Sequence, residues 1–167
     1  MKKRIKTQKL TLLALCISLA MIFSYIEIQL VADLPFRPGL PNIIIIWALY
    51  RLGVKDASII SFIRLFLVWI LFAQGRVDRL MYSLAGAILS LLVMALLKNL
   101  NFLSSVGVSV AGAVMHNVGQ ILVAAFLFDT WAVGTIFIPL AITAIVSGVF
   151  IGLCGSFLVK RFNNILK

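Results

Sequence analysis

The sequence predicts an all-α protein: a bundle of six transmembrane helices in a polytopic membrane protein. Three observations predict it. Hydrophobic residues make up 63% of the 167, and mean hydropathy is +1.15, more apolar surface than a soluble domain can hide. The apolar residues fall into six runs, divided by short polar or proline-rich stretches. The basic residues gather at the ends of those runs, as cytoplasmic membrane flanks do. The formal net charge of +10 is therefore read as a contact with the lipid bilayer, and nucleic acid is excluded as a partner.

The expected helices are residues 10–30, 42–53, 56–74, 80–98, 106–128 and 132–159, forming a single integral membrane domain over 1–167. The first follows MKKRIKTQK, five basic residues without an acid. It resembles a signal peptide, but the apolar run is too long and lacks a small-residue cleavage site, so it is expected to stay in the mature protein. Glu27 lies near its outer end. Residues 31–41, VADLPFRPGLP, hold three prolines and a glycine and read as a structured outer loop. Asn42 is placed to cap the second helix, which is short for a full crossing.

The third helix is interrupted by Arg64, and residues 74–79 read as an external turn. The fourth carries Tyr82, Gly86 and Ser90 in one row. A polar turn over 98–105 leads to the fifth. Asp129, Thr130 and Trp131 form the next outer turn, where Trp131 suits a membrane interface. The sixth helix is longer than a crossing needs and has Pro139 near its start.

With the N-terminus inside, eleven basic residues fall at cytoplasmic ends. Three, Arg37, Arg76 and Arg79, fall in outer loops. That bias places both termini in the cytoplasm.

The candidate site residues are few. Arg64 lies near mid-membrane, where an unpaired charge costs at least ~2.5 kcal/mol. Two readings are open for it. Either it snorkels or bonds to carbonyls and to Asn117 or Gln120, or it faces an anionic ligand group. The nearest acid along the membrane depth is Glu27, roughly 10 Å further out at 1.5 Å per residue.

The only histidine, His116, lies at a similar depth. His116 and Gln120 share one helix face with Gly112 and Ala124, a polar row of the kind that marks a binding site or a helix contact. Arg64, His116 and Gln120 form the expected site for a small-molecule ligand, with Asn117 and Glu27 at its rim. Small residues recur at four-residue spacing on helix six (Ala144, Gly148, Gly152, Ser156). On helix one they form two rows, Cys16, Ala20, Ser24 and Ala14, Ser18. These are expected contacts within the chain or with another membrane subunit.

Several classes of chemistry lack their motifs. There is no GxxxxGK[ST] phosphate loop for ATP hydrolysis, no paired-aspartate motif to hold Mg²⁺ on a diphosphate, and no G-x-S-x-G elbow. Cys16 and Cys154 lie within apolar runs without a CxxC pattern, so neither a disulfide nor zinc is expected. No cofactor and no enzymatic activity are expected.

The segments LPFRPGLPNIIIIWALYRLGVKDASIISFIRLFL, MYSLAGAILSLLVMALLK and VGVSVAGAVMHNVGQILVA resemble the bacterial Gx transporter family, also labelled heptaprenyl diphosphate synthase component I. The most specific part is His116, Asn117, Gly119 and Gln120. That family is similar to the S components of energy-coupling-factor transporters. The resemblance implies a six-helix protein of the bacterial cell membrane. It would bind a vitamin-, flavin- or quinone-precursor-like molecule near the outer side, and dock on a membrane coupling subunit with two ATPases. S components usually carry an alanine-x-x-x-alanine docking pair on helix one, and here only Ala14 with Ser18, or Cys16 with Ala20, stands in its place. The second label implies instead a non-catalytic membrane partner of the synthase in isoprenoid or menaquinone metabolism. Relatives linked to flavin-based extracellular electron transfer suggest a third setting.

Overall fold

A computed structural model describes residues 2–30, 39–72, 76–100, 103–128, 135 and 137–162, with side chains from Thr7 onward. Among these residues there are six helices: α1 (Lys2–Leu30), α2 (Asn42–Arg51), α3 (Val54–Phe72), α4 (Val77–Leu100), α5 (Ser105–Leu127) and α6 (Phe137–Arg161). Four are long and apolar enough to cross a membrane: α1 over Thr7–Leu30, α4, α5 and α6. The 19 residues of α3 include Lys55, Asp56 and Arg64. The ten of α2 measure about 15 Å at 1.5 Å per residue, half of the roughly 30 Å hydrocarbon core of a bilayer.

Several expected boundaries move. Helix one starts eight residues earlier than the apolar run, because the charged residues before it continue the same helix. Val77–Arg79 belongs to α4 rather than to a turn, with Asp78 in the first turn paired to Arg76 at 2.6 Å. Lys98–Leu100 continues α4. Ser104 caps α5, its hydroxyl accepting from the Gly107 amide at 3.3 Å. Of the expected start of helix six, residues 132–134 and 136 lie outside the described residues, as do 31–38, 73–75 and 129–131. Pro139 sits in the first turn of α6, where its missing N–H would have had no helical partner.

The helices pack in the order α1, α3, α4, α5, α6, α2, and α2 returns to α1 and also touches α3. The short helix α2 is the centre of the core. Seven consecutive residues, Ile43 to Leu49, are all buried, around the full circumference, as a helix wrapped by others must be. Cys16 and Ala20 of α1, Ala57 and Ile60 of α3, Leu91 and Met94 of α4, Val108 of α5 and Ile151 of α6 join the same cluster.

A buried helix needs partners for its terminal backbone groups. Asn42 does not supply the expected cap. Pro41 occupies the cap position, without a side-chain bond. A tight turn serves instead: the amides of Asn42, Ile43 and Ile44 donate to Gly39, Leu40 and Pro41 oxygens at 2.8, 3.1 and 3.1 Å, and Gly39 adopts a φ of 75° to allow it. At the other end, Lys98 Nζ donates to Leu49 O at 2.7 Å. Gly53, at φ 97°, turns the chain while its amide still reaches Ala48 O at 3.0 Å. Arg51 in turn donates to Val159 O near the end of α6. Lys9 of α1 pairs with Asp56 of α3 at 2.7 Å.

Apolar burial does little to hold helices together in lipid, so close packing must. The small residues of α6 do this within the chain. A Cβ on Gly148 would sit 2.7 Å from Val110 Cα, and one on Gly152 would sit 2.7 Å from Val106 Cα. Gly119 of α5 approaches Ala85 and Gly86 of α4 equally closely. On α1, Cys16, Ala20 and Ser24 are buried, while Ala14 and Ser18 face outward. Gly152→Leu and Ala20→Leu are therefore expected to lower the thermal unfolding midpoint in detergent, by an overpacking cost of about 1–3 kcal/mol or more. Ala14→Leu should leave it unchanged. Equal midpoints for all three variants would mean that these rows are not tight contacts.

Candidate functional site

Because α2 stops at Asn42 while its neighbours continue, the described residues leave the half of the ring beyond its N-terminus unfilled. A cavity of about 420 Å³ lies there, lined by residues from all six helices, within the size range of small-molecule sites. Ser24 and Glu27 come from α1, Gly39 and Asn42 from the start of α2, and Arg64 and Val68 from α3. Arg79, Tyr82 and Ser83 come from the first turns of α4. His116, Asn117 and Gln120 come from α5, and Thr143 and Ser147 from α6.

All five residues singled out in the sequence line this one cavity. Their individual partners differ from expectation. Arg64 does not bond to Asn117 or Gln120. Its Nη1 donates to Ser24 Oγ at 3.3 Å, and its Nε is buried without a hydrogen-bond partner among the described residues. Ser24 is set to accept because its own hydroxyl donates back to Ala20 O at 2.8 Å. Glu27 is not a rim residue. It is 6% exposed, and its Oε1 accepts from the Gly39 amide at 2.6 Å, which ties α1 to the turn that opens α2. It lines the same cavity as Arg64, one helical turn along α1 from the Ser24 that Arg64 reaches.

On α5 the expected helical pair is present. His116 Nε2 and Gln120 Nε2 are 3.2 Å apart, so the ring nitrogen facing the amide serves as acceptor. The imidazole lies flat against α4 at Gly86. A Cβ there would come within 2.8 Å of the ring, which is why glycine stands in the Tyr82, Gly86, Ser90 row. Asn117 points the other way and donates through Nδ2 to Leu140 O of α6 at 2.8 Å. His116 and Asn117 thus clamp α5 to its two neighbours, with Gln120 beside them.

Sequence reasoning missed Arg79, Asn42, Ser83, Thr143 and Ser147, and it noted Tyr82 only as part of a row. Thr143 and Ser147 are four residues apart, and Tyr82 and Ser83 interrupt an apolar run. A search for hydroxyls sharing one face of a membrane helix would have found some of them. Arg79 carried no such signal, because an arginine at a helix start reads equally well as an outer flank.

Among the described residues the charges are unequal: two guanidinium groups, Arg64 and Arg79, share the cavity with one carboxylate, Glu27. Among the described residues, no three of His, Cys, Asp and Glu gather as a metal site. A model for heptaprenyl diphosphate synthase component I matches residues 12–158.

The chain belongs to the heptaprenyl diphosphate synthase component I family.

Every cavity residue named above falls within the matched segment. Neither the curated proteins nor the solved structures give a match to it.

Glu27 offers a direct check of the local geometry. In Glu27→Gln the side-chain oxygen can still accept from Gly39, and the turn into α2 should hold. Glu27→Ala leaves that amide without its acceptor and should cost about 1–3 kcal/mol, read as a lower unfolding midpoint. Indistinguishable midpoints for the two variants would show that the bond to Gly39 carries no stability.

Proposed function

We propose that this component I chain is the small-molecule-binding subunit of an uptake system in the bacterial cell membrane, without ATPase activity of its own. The single observation that carries this is the six-helix cavity with the Arg64 guanidinium among its lining residues. The excess of one cation over the carboxylate favours a ligand with an anionic group. Arg64, His116, Asn117, Gln120 and Glu27 are its proposed contacts. A vitamin-, flavin- or quinone-precursor-like molecule would fit the volume.

In this reading the whole chain is one membrane domain and all six helices cross. Both termini are cytoplasmic, which puts the cavity in the outer half of the membrane. A coupling subunit and its ATPases would supply the energy. Of the two small pairs on α1, only Ala14 with Ser18 is exposed to receive such a subunit, since Cys16 and Ala20 are buried.

The family name favours a second reading: a non-catalytic membrane partner of a prenyl diphosphate synthase. The two differ in what binds. A transporter subunit holds a small molecule in its own bundle, whereas a partner holds the soluble synthase with an empty cavity.

Mass spectrometry of protein purified in mild detergent should find a co-purifying small anion. Arg64→Gln should retain the folded bundle and weaken that ligand ~10-fold or more, the scale of 1.4 kcal/mol. Wild-type affinity in a stable Arg64→Gln protein would put the site elsewhere. Tight capture of a synthase subunit by ligand-free protein would favour the second reading.

Orientation is tested separately. A reporter fused after Lys167 should be active only in its cytoplasm-specific form. Activity of an export-dependent reporter there would invert the proposed topology or remove a crossing.

A further inference from the structure

The cavity does not end at Arg79. A second, smaller cleft of about 70 Å³ lies between α1, α3 and α4. It shares Ile28, Leu65, Val68, Arg79 and Ser83 with the main cavity, so the two are neighbours across a common wall. Their chemistry differs. Beyond the shared residues the cleft adds only Trp69, Phe72 and Leu80. Phe72 is held by Tyr25 of α1, ring centroids 5.7 Å apart, and Trp69 by a bond from Nε1 to Arg76 O at 2.9 Å. The main cavity adds Glu27, Arg64, His116, Asn117 and Gln120 instead.

We infer that the two spaces form one amphipathic site, whose ligand is a compact anion with an attached apolar ring-sized group. The anionic head lies by Arg64. The apolar part passes Val68 and Ser83 to rest against Trp69 and Phe72.

Size argues for a ring rather than lipid chains. The cleft has room for on the order of five water-sized spheres, too little for the paired acyl tails of a phospholipid. Fixed aromatic walls suit a flat group, since stacked or edge-on ring contacts add to burial. This inference rests on the proposed reading of the cavity as a ligand site, and it adds the class of ligand.

The test uses defined probes on the full-length protein in nanodiscs of neutral lipid: benzoate and phenyl phosphate, their ringless counterparts acetate and inorganic phosphate, and uncharged benzyl alcohol. Benzoate and phenyl phosphate should bind at least 10-fold more tightly than acetate and inorganic phosphate, and benzyl alcohol should not compete with them. Val68→Trp, which fills the shared wall, should bring the ratio of phenyl phosphate to inorganic phosphate affinity down toward one. Ser83→Phe should do the same from α4. Arg64→Gln should weaken all the anions.

Equal binding of ringed and ringless anions, all lost in Arg64→Gln, would overturn the amphipathic site and keep the anion cavity. Loss of benzoate binding when the nanodiscs are made of anionic phospholipid would assign the site to a lipid headgroup and overturn the inference as well. If a ligand co-purifies but none of these probes binds, the inference fails while the uptake reading stands. If none binds and nothing co-purifies, both fail.

Discussion

A ten-residue helix wrapped by neighbours about twice its length cannot fill the space they enclose. That mismatch governs the rest of the structure. At about 15 Å, α2 occupies one half of the ring with a solid plug of isoleucine, tryptophan and leucine, and among the described residues the other half holds a cavity. The polar groups of the bundle are distributed accordingly. Beside the plug the neighbours contribute apolar side chains, together with small residues such as Gly155, whose added Cβ would meet Ile46 at 2.7 Å. Beyond it they contribute Arg64, Glu27, His116 and a set of hydroxyls and amides.

The plug is stable only because its ends are satisfied without water. The turn at Gly39 serves its first amides, and Glu27 holds that turn. Lys98 and Gly53 serve its last carbonyls. Glu27 therefore links two roles, since the carboxylate that positions the start of α2 also sets the charge of the cavity. A ligand that drew on Glu27 would be felt at the turn into α2, and a change in that turn would be felt at the site. Arg64 has a comparable double position. It reaches Ser24 across the α1–α3 contact and also lines the cavity.

Much of the site was legible because lipid makes polar groups conspicuous. In an apolar run, Arg64 and the His116, Gln120 pair are expensive unless they meet partners or a cavity, and all three line the one cavity. Glu27 and Asn117 were found on the same ground, although their geometry was misplaced. Asn117 turned to a carbonyl of α6, and Glu27 to an amide of the loop. Partner choice of that kind depends on which helix stands beside which, and a single sequence does not state it. The glycine rows of α6 were open between contact within the chain and contact with another subunit. Their backbone approach to Val106 and Val110 decides for the chain itself.

The sequence by itself determined the helices and the class of solvent, because hydropathy and helical period are local properties of consecutive residues. It determined which side chains would be costly, for the same reason. It did not determine that the short second run would be a buried plug, nor that a cavity would open beyond it. Those features arise from the difference in length between one helix and the five around it, and that difference has a consequence only once the ring has closed. Arg79 shows the distinction at one residue. Read along the chain it is a charge at a helix start. Only the packing of α4 against α3 and α5 brings it to the junction of a polar cavity and an apolar cleft.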